Sequence, residues 1–166
     1  PGRVVYVHPL HNLVLLAYDS ALIGDSPVAS ARLASGIPEP GEELWIAGLK
    51  GGEKLVSQSA AFASFEPVGY PLSRTMRFRQ ANLETVDLVH GPRDLDGVLV
   101  NRKGEVAALW SSFAWQGSGD LRQENRGMPV EYVRELMDLV ATGRELRSLE
   151  VEWTQMPLAA ARRLGL

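Results

Sequence analysis

The three histidines are the first residues whose type and spacing could support chemistry. His8 and His11 lie three residues apart, flanking Pro9, and His90 lies far along the chain. A spacing of three places two metal ligands on one face only when the segment is helical, and this pair precedes a predicted strand. No carboxylate-rich segment lies beside them to complete a ligand set. We therefore interpret them as turn histidines, and we predict no metal site.

Serines and aspartates offer nucleophilic and acid–base chemistry. Ser118 lies in a Gly-Ser-Gly-Asp segment, which lacks the glycines two residues to either side that a nucleophile elbow requires. We interpret that segment as a flexible loop, and we expect Ser111 and Ser112 to cap the end of a strand. Three carboxylates are also close in sequence, namely Asp87, Asp94 and Asp96. Paired carboxylates can act as acid and base, but nothing in the sequence implies the raised pKa that a general acid needs.

The composition restricts the function classes. The 166 residues carry 17 Lys and Arg against 20 Asp and Glu, a net charge of −3, which argues against a dedicated nucleic-acid-binding protein. The absence of cysteine excludes disulfides, Cys-ligated zinc, iron–sulfur clusters and thiol nucleophiles. No apolar run approaches the roughly 20 residues of a membrane span, and no signal peptide is visible, so we predict no membrane insertion. The sequence opens on Pro1 without an initiator Met, and we expect a fragment of a longer protein.

Strands are the elements that must position these residues over the first two-thirds of the chain. Short apolar or alternating runs separated by Gly and Pro turns predict a β-sandwich or barrel. The predicted strands cover residues 13–18, 27–33, 44–48, 55–65, 75–80, 98–101 and 106–110. In the 75–80 strand, Met76 and Phe78 alternate with arginines. The clearest hairpin joins the last two strands, with Gly104 able to adopt the left-handed conformation of its turn.

The tail of the chain predicts two helices. The first begins at Met128-Pro129, because proline suits the first helical position, and it ends at Gly143. Its buried stripe is predicted to comprise Val130, Val133, Leu136, Met137 and Val140. A strand over 149–153 follows, and then a short helix from Met156-Pro157 to Leu164. The change of pattern predicts two domains, residues 1–143 and 144–166.

Three segments, in consistent order and spacing, resemble the HtrA/DegP-like trypsin-fold serine proteases. Residues 7–19 resemble the family's D-P-x-x-D-L-A-L-L-K-V-D, residues 40–48 resemble P-G-D-x-V-x-A-I-G, and residues 94–106 resemble N-S-G-G-P-L-V-N-x-x-G-E-V. The resemblance covers about residues 4–141. It is closest to the degenerate second protease domain of the tandem HtrA-like proteases of fungi, whose R-A-L-W element is similar to residues 107–110. Residues 147–165 resemble the opening of a PDZ domain.

The departures from the family pattern bear on catalysis. The aspartate that orients the catalytic histidine matches Asn12, a neutral amide. The nucleophilic serine matches Leu95, which has no nucleophilic atom, or Asp96 if the loop is one residue shorter. Asp96 would place an anion where the oxyanion must form. The catalytic histidine would precede Pro1, so no triad position is intact. The motif loop as a whole comprises Gly91, Asp94, Leu95, Asp96 and Gly97.

The resemblance implies a mainly β protein. Of the two antiparallel barrels of the trypsin fold, the first would be partial and the second complete. A C-terminal helix and the first elements of a PDZ-like module would follow. It implies a catalytically inactive domain, acting as a scaffold or peptide-binding module within a parent HtrA-like serine endopeptidase. The alternatives are an active serine endopeptidase whose triad is misaligned here and a structural oligomerisation domain.

The same resemblance sets the expected partners and location. We expect unfolded or extended peptides as partners, no nucleic acid and no cofactor. It also implies a homo-oligomer, with the trimer as the common form in the family. For a bacterial HtrA-like protein, the location would be the periplasm or cell envelope.

Overall fold

A computed structural model describes residues 2–50, 54–67, 84–116, 121–147 and 158–165. The strands are β1 (Gly2–Val7), β2 (Val14–Tyr18), β3 (Glu43–Lys50), β4 (Lys54–Pro67), β5 (Glu84–Val89), β6 (Leu95–Val100), β7 (Val106–Gln116) and β8 (Leu121–Pro129). The helices are α1 (Val130–Thr142), α2 (Leu158–Arg163) and a short 3₁₀ helix (Ser20–Ile23). The prediction of a mainly β protein is confirmed. No helix within these ranges is long and apolar enough to cross a membrane.

Strands β3 to β8 close into an antiparallel barrel in the order β3-β4-β5-β8-β7-β6. Residues along β3 alternate between buried and half-buried positions, and Leu44 and Ile46 are fully enclosed. The barrel interior is filled by Leu44, Ile46, Phe62, Val86, Leu88, Leu95, Leu99, Ala108 and Trp110. Closure gives each strand two pairing neighbours, which removes the open edges that a flat sheet would present. The prediction of one complete antiparallel barrel is confirmed.

The hairpin between β6 and β7 forms where the sequence predicts it. Gly104 adopts a positive φ of 71°, which glycine tolerates without steric cost. The side-chain oxygen of Asn101 accepts the backbone N–H groups of Lys103 at 2.9 Å and of Glu105 at 3.0 Å. The turn is therefore specified locally, by a glycine and an asparagine that satisfies its backbone donors.

Strands β1 and β2 form a separate two-stranded sheet with two apolar faces. On one face, Tyr6 and Leu15 pack with α1 around the buried residues Leu13, Phe113, Met128 and Leu136. The other face carries Val4, Val7, Val14, Leu16 and Tyr18, which are between 45% and 61% exposed. Strands that are apolar on both faces are typical of sheets covered on both sides. This sheet stands where the sequence predicts a partial first barrel.

Helix α1 confirms its predicted ends more closely than its predicted buried face. Pro129 is the N-cap, and Gly143 ends the helix in the left-handed conformation, at φ 65° and ψ 19°. The predicted stripe is wrong at Met137, which is 48% exposed, and it missed Leu139, which is buried. Leu136 and Leu139 are three residues apart on one face, whereas Met137 is rotated by about 100° from Leu136. The short helix α2 lies within the segment predicted for it.

Two predictions about the strands are wrong. Residues 27–33 form no strand and are joined to the barrel by one parallel bridge between Leu33 and Val106. Residues 24–32 are exposed, and beyond that bridge no strand among the described residues pairs with this segment. Ser111 and Ser112 do not cap a strand end, because β7 continues past them and pairs them with β8. The predicted strands 75–80 and 149–153 lie outside the described residues.

Candidate functional site

Leu95, which the sequence resemblance predicts at the nucleophile position with Asp96 as the alternative, is a core residue of the barrel. It is the first residue of β6, and its side chain is 2% exposed. It belongs to the buried cluster that contains Leu44, Leu99 and Trp110. A serine placed here would direct its hydroxyl into apolar surroundings, at the cost of burying a polar group. Position 95 therefore contributes packing rather than a reactive atom.

The carboxylates on either side of Leu95 face solvent. Asp96 is exposed, and Asp94 forms a salt bridge with Lys50 on β3, with 2.7 Å between Nζ and Oδ2. The hydrogen bond from Lys50 holds the pKa of Asp94 below its ordinary value. A general acid needs a raised pKa, so this shift has the opposite sign. Asp87 pairs with Arg126 on β8, so these aspartates have different partners on different strands.

The glycines of the motif loop allow two close approaches. Gly97 on β6 lies opposite Gly48 on β3, and a Cβ on either would overlap the backbone of the other strand. A Cβ on Gly91 would lie 2.9 Å from the indole ring of Trp110. The indole N–H of Trp110 donates to the carbonyl oxygen of Pro92 at 3.2 Å. The loop before β6 is therefore anchored on a tryptophan of the barrel core.

Asn12, which the sequence resemblance predicts at the position of the triad aspartate, lies exposed in the turn between β1 and β2. The next residue, Leu13, is buried in the cluster against α1, whereas Leu95 is buried in the barrel. The two matched triad positions are thus carried by different sheets. An amide at position 12 carries no charge with which to stabilise an imidazolium.

His8 and His11 lie in that same turn, as predicted, but they are buried and stacked on each other. Their ring centroids are 4.7 Å apart with an interplanar angle of 19°, and the ring of His11 lies 4.5 Å from that of Tyr132 on α1. Sequence reasoning missed this cluster. The available signal was the alternation of β1, which places His8 on the same side as Tyr6.

Burial keeps both imidazoles neutral at neutral pH. Desolvation, together with a smaller contribution from the neighbouring His8, lowers the pKa of His11 to about 4. Desolvation also lowers the pKa of His8, against the opposing charge of Glu135, and burial raises the pKa of Tyr132. Within the described ranges, no three or more His, Cys, Asp or Glu side chains are grouped to hold a metal ion.

A serine nucleophile needs an adjacent general base, most often a histidine. The hydrogen bonds of the serines and histidines therefore show whether the described residues include such a pair. Ser64 Oγ donates to Glu66 at 2.8 Å. The Nδ1 of His8 accepts only backbone N–H groups, and His90 is exposed on a turn. Across the described residues, no serine hydroxyl is hydrogen-bonded to a histidine.

Known proteins are similar to this chain in sequence and in fold. The chain is 26% identical over 173 residues to Protease Do-like 7 of Arabidopsis thaliana. That alignment covers 98% of this chain and 16% of the plant protein. It is 31% identical over 178 residues to a PDZ domain-containing protein of Schizosaccharomyces pombe, covering 100% of this chain and 17% of that protein. The solved structure of the HtrA-type protease AlgW with a tripeptide superposes with a TM-score of 0.60 at 18% identity, covering 99% of this chain and 52% of that one.

The chain is a relative of the HtrA-type serine proteases. No protein-family model matches it. This HtrA relative spans about a sixth of the length of the curated proteins that it matches. Its barrel is of the trypsin type, as the sequence resemblance implies.

Proposed function

We propose that this chain is a catalytically inactive HtrA-type domain that binds extended peptides. The observation that carries the proposal is the burial in the barrel core of Leu95, the residue that the sequence resemblance matches to the nucleophile. The resemblance predicts a leucine where the family has its serine, and the burial of that leucine explains why an apolar residue stands there. Replacing this leucine by serine would remove packing from the core without presenting a hydroxyl to a substrate.

The other triad positions support the same conclusion. Asn12 is exposed and uncharged, so it cannot replace the carboxylate that orients a catalytic histidine. His8 and His11 are buried, and His8 uses its Nδ1 lone pair to hold backbone groups. Members of a catalytic triad act as a unit, so the restoration of one member recovers little activity.

The geometry of β7 supports peptide binding. Strand β6 pairs with β7 only from Val106 to Trp110, whereas β8 pairs with β7 as far as Gln116. Ser111 and Ser112 therefore lie where β7 extends beyond β6, next to the motif loop that precedes Leu95. Extended peptides bind such positions by adding a strand through main-chain hydrogen bonds. The AlgW structure, a relative in fold, contains a bound tripeptide.

The catalytic part of the proposal is tested by hydrolysis of casein and of fluorogenic peptides, with a serine-directed fluorophosphonate label as a parallel readout. We expect no turnover above a buffer blank and no labelling for the natural chain and for Leu95→Ser. Inhibitor-sensitive turnover would support the alternative of an active endopeptidase with a misaligned triad. Ser111, Ser112 and Ser118 would then be the first serines to replace.

The binding part is tested with extended peptides that are N-methylated at alternate residues. A peptide that adds to β7 uses the N–H groups of every second residue, so methylation in one register should abolish binding. Methylation in the other register is the matched control and should leave binding unchanged. Equal effects of the two registers, or no binding up to millimolar peptide, would contradict this part.

An oligomerisation domain is the second candidate, and the exposed apolar face of β1 and β2 favours it. Large exposed apolar patches mark interaction sites. Sedimentation of the chain over a range of concentrations distinguishes the candidates. A stable trimer without peptide binding would support the oligomerisation role.

We also propose that residues 144–166 open a PDZ-like module. Gly143 ends α1, and α2 follows within the segment predicted for it. The Schizosaccharomyces pombe relative is named for a PDZ domain. Limited proteolysis should cut between α1 and α2 and leave the barrel intact, whereas resistance there would contradict a domain boundary.

A further inference from the structure

An imidazole, rather than a carboxylate, holds the turn between β1 and β2 closed. The Nδ1 atom of His8 accepts the backbone N–H groups of Leu10 at 3.2 Å and of His11 at 2.9 Å. The backbone of His8 also donates to the carbonyl oxygen of Leu13 at 2.9 Å. Asp, Asn and Ser usually take this acceptor role in turns. Histidine differs from Asn and Ser because protonation near neutral pH converts its acceptor nitrogen into a donor.

The neutral, closed turn already contains unmet hydrogen-bonding groups. Because Nδ1 of His8 is an acceptor, its proton resides on Nε2. Neither this Nε2 nor Nδ1 of His11 has a hydrogen-bond partner within the described part of the chain, and both atoms are buried. The side chains themselves are 0% and 6% exposed. The closed turn therefore lacks the full set of hydrogen bonds that water would supply to an open one.

The titratable groups that face this pair come from the turn itself and from α1. His11 stacks on His8, and Tyr132 of α1 stacks on His11. Glu135, also on α1, is the one charge that favours a protonated His8 in this cluster. The hydroxyl of Tyr132 accepts the backbone N–H of Glu84 on β5 at 3.4 Å. Glu84, Glu131 and Glu135 act electrostatically on Tyr132.

We propose that His8 is an acid-sensitive latch, and that protonation of its Nδ1 releases the turn between β1 and β2 from helix α1. The proton comes from solvent and returns to it when the pH rises, so no covalent bond other than N–H is made or broken. A proton on Nδ1 faces the N–H groups of Leu10 and His11, which lose their acceptor. The imidazolium is also buried against His11, and opening of the turn exposes it to water.

Release of the turn would affect one part of the molecule and spare the other. The turn carries Leu13, which is buried with Phe113, Met128 and Leu136 between the sheet and α1. The barrel is filled by a separate cluster that includes Ile46 and Leu99. Acid should therefore open the two-stranded sheet while the barrel stays closed. This proposal does not depend on whether the domain binds peptides.

Nuclear magnetic resonance of the intact 166-residue chain tests the latch between about pH 7.5 and 4.5, a range that spans histidine titration. We expect the amides of Leu10, His11 and Leu13 to shift with the midpoint of the His8 ring nitrogens. That midpoint should lie below 6.5, the ordinary pKa of histidine, because burial lowers the pKa of His8. The barrel amides of Ile46 and Leu99 should not follow it. Turn amides that stay still while His8 titrates, or a His8 that first titrates as the barrel unfolds, would overturn the proposal.

A matched pair of variants isolates His8. His8→Asn keeps a side-chain acceptor that does not titrate, so the coupled shifts of the turn amides should disappear. His90→Asn is the control: position 90 has a φ of 56°, which asparagine tolerates, and the transition should remain as in the natural chain. Persistence of the transition in His8→Asn would overturn the proposal. If that variant does not fold, the titration of the natural chain decides, by whether the turn amides follow the titration of the His8 ring.

Discussion

The barrel and the two-stranded sheet are built from similar strands but completed differently. Each barrel strand has two pairing neighbours, and the interior is filled by residues such as Ile46, Leu99 and Trp110. Strands β1 and β2 pair only with each other among the described strands, and only one of their faces is covered, by α1 and its neighbours. Apolar sequence therefore forms strands in both regions. We expect the closed barrel to be more stable than the two-stranded sheet, because each of its strands is paired on both sides.

Trp110→Ala should produce the largest loss of stability, because Trp110 is the largest fully buried side chain among the residues whose burial the structure describes. We expect the free energy of unfolding to fall by about 3–5 kcal/mol. The change also removes the hydrogen bond to the carbonyl of Pro92 and the surface on which Gly91 rests. Urea unfolding measures the effect. Tyr18→Ala, on the exposed face of β2, is the control and should cost less than about 0.5 kcal/mol; equal costs would contradict the contrast between the regions.

Leu136→Ala should weaken the sheet and leave the barrel closed. Leu136 is 3% exposed and lies in the cluster that joins α1 to β1 and β2. We expect a loss of about 2–4 kcal/mol, read from thermal melting. Hydrogen exchange should accelerate in β1 and β2 more than in β3 and β6. Met137→Ala is the matched control on the exposed side of the helix, and a Leu136→Ala melt within about a degree of the parent would count against this packing.

Local signals predicted the parts of the fold that depend on local interactions. The hairpin at Gly104 and the end of α1 at Gly143 were predictable because a glycine at each site adopts the left-handed conformation. The segment 27–33 was mispredicted because its pattern cannot show whether a neighbouring strand exists to pair with it. Tertiary context decides such cases.

The candidate site also has parts that the sequence predicts and parts that depend on tertiary structure. The resemblance predicts which residues match two triad positions, namely Asn12 and either Leu95 or Asp96, because residue identity is read directly from the sequence. That Leu95 packs in the barrel core depends on strand register. The packing of His11 against Tyr132 was missed because a distant helix supplies Tyr132.

Acid should destabilise the region around α1 through His11. Its pKa is lowered from 6.5 to about 4 by burial, so between those values the unfolded chain binds a proton that the folded chain does not. The stability due to neutral His11 is complete above pH 6.5 and is lost as the pH falls toward 4, by roughly 3 kcal/mol in total. His11→Phe retains a ring against Tyr132 and should remove this part of the pH dependence. Urea unfolding across this range, with His90→Asn as the control, checks it; an unchanged slope in His11→Phe would contradict it.

The smallest effect on stability should come from the uncovered face of the sheet, and adjacent residues of β2 provide the test. Leu15 packs toward α1, whereas Leu16 is 61% exposed on the opposite face. Leu15→Thr should cost about 1–2 kcal/mol, because it removes apolar surface from a covered position. Leu16→Thr should change the free energy of unfolding by less than about 0.5 kcal/mol.

Self-association reports on the same face independently of folding. If the exposed residues of β1 and β2 form an interaction surface, Leu16→Thr should weaken concentration-dependent association measured by sedimentation, because it removes apolar surface from the contact. Leu15→Thr should leave association unchanged, since its side chain lies on the face covered by the α1 cluster. These two variants, at adjacent positions of β2, would then separate the two roles of the sheet. The face with Leu15 packs against the α1 cluster, and the face with Leu16 would contact a second copy of the chain. A stability loss from Leu16→Thr as large as that from Leu15→Thr would show instead that both faces are already packed within the chain.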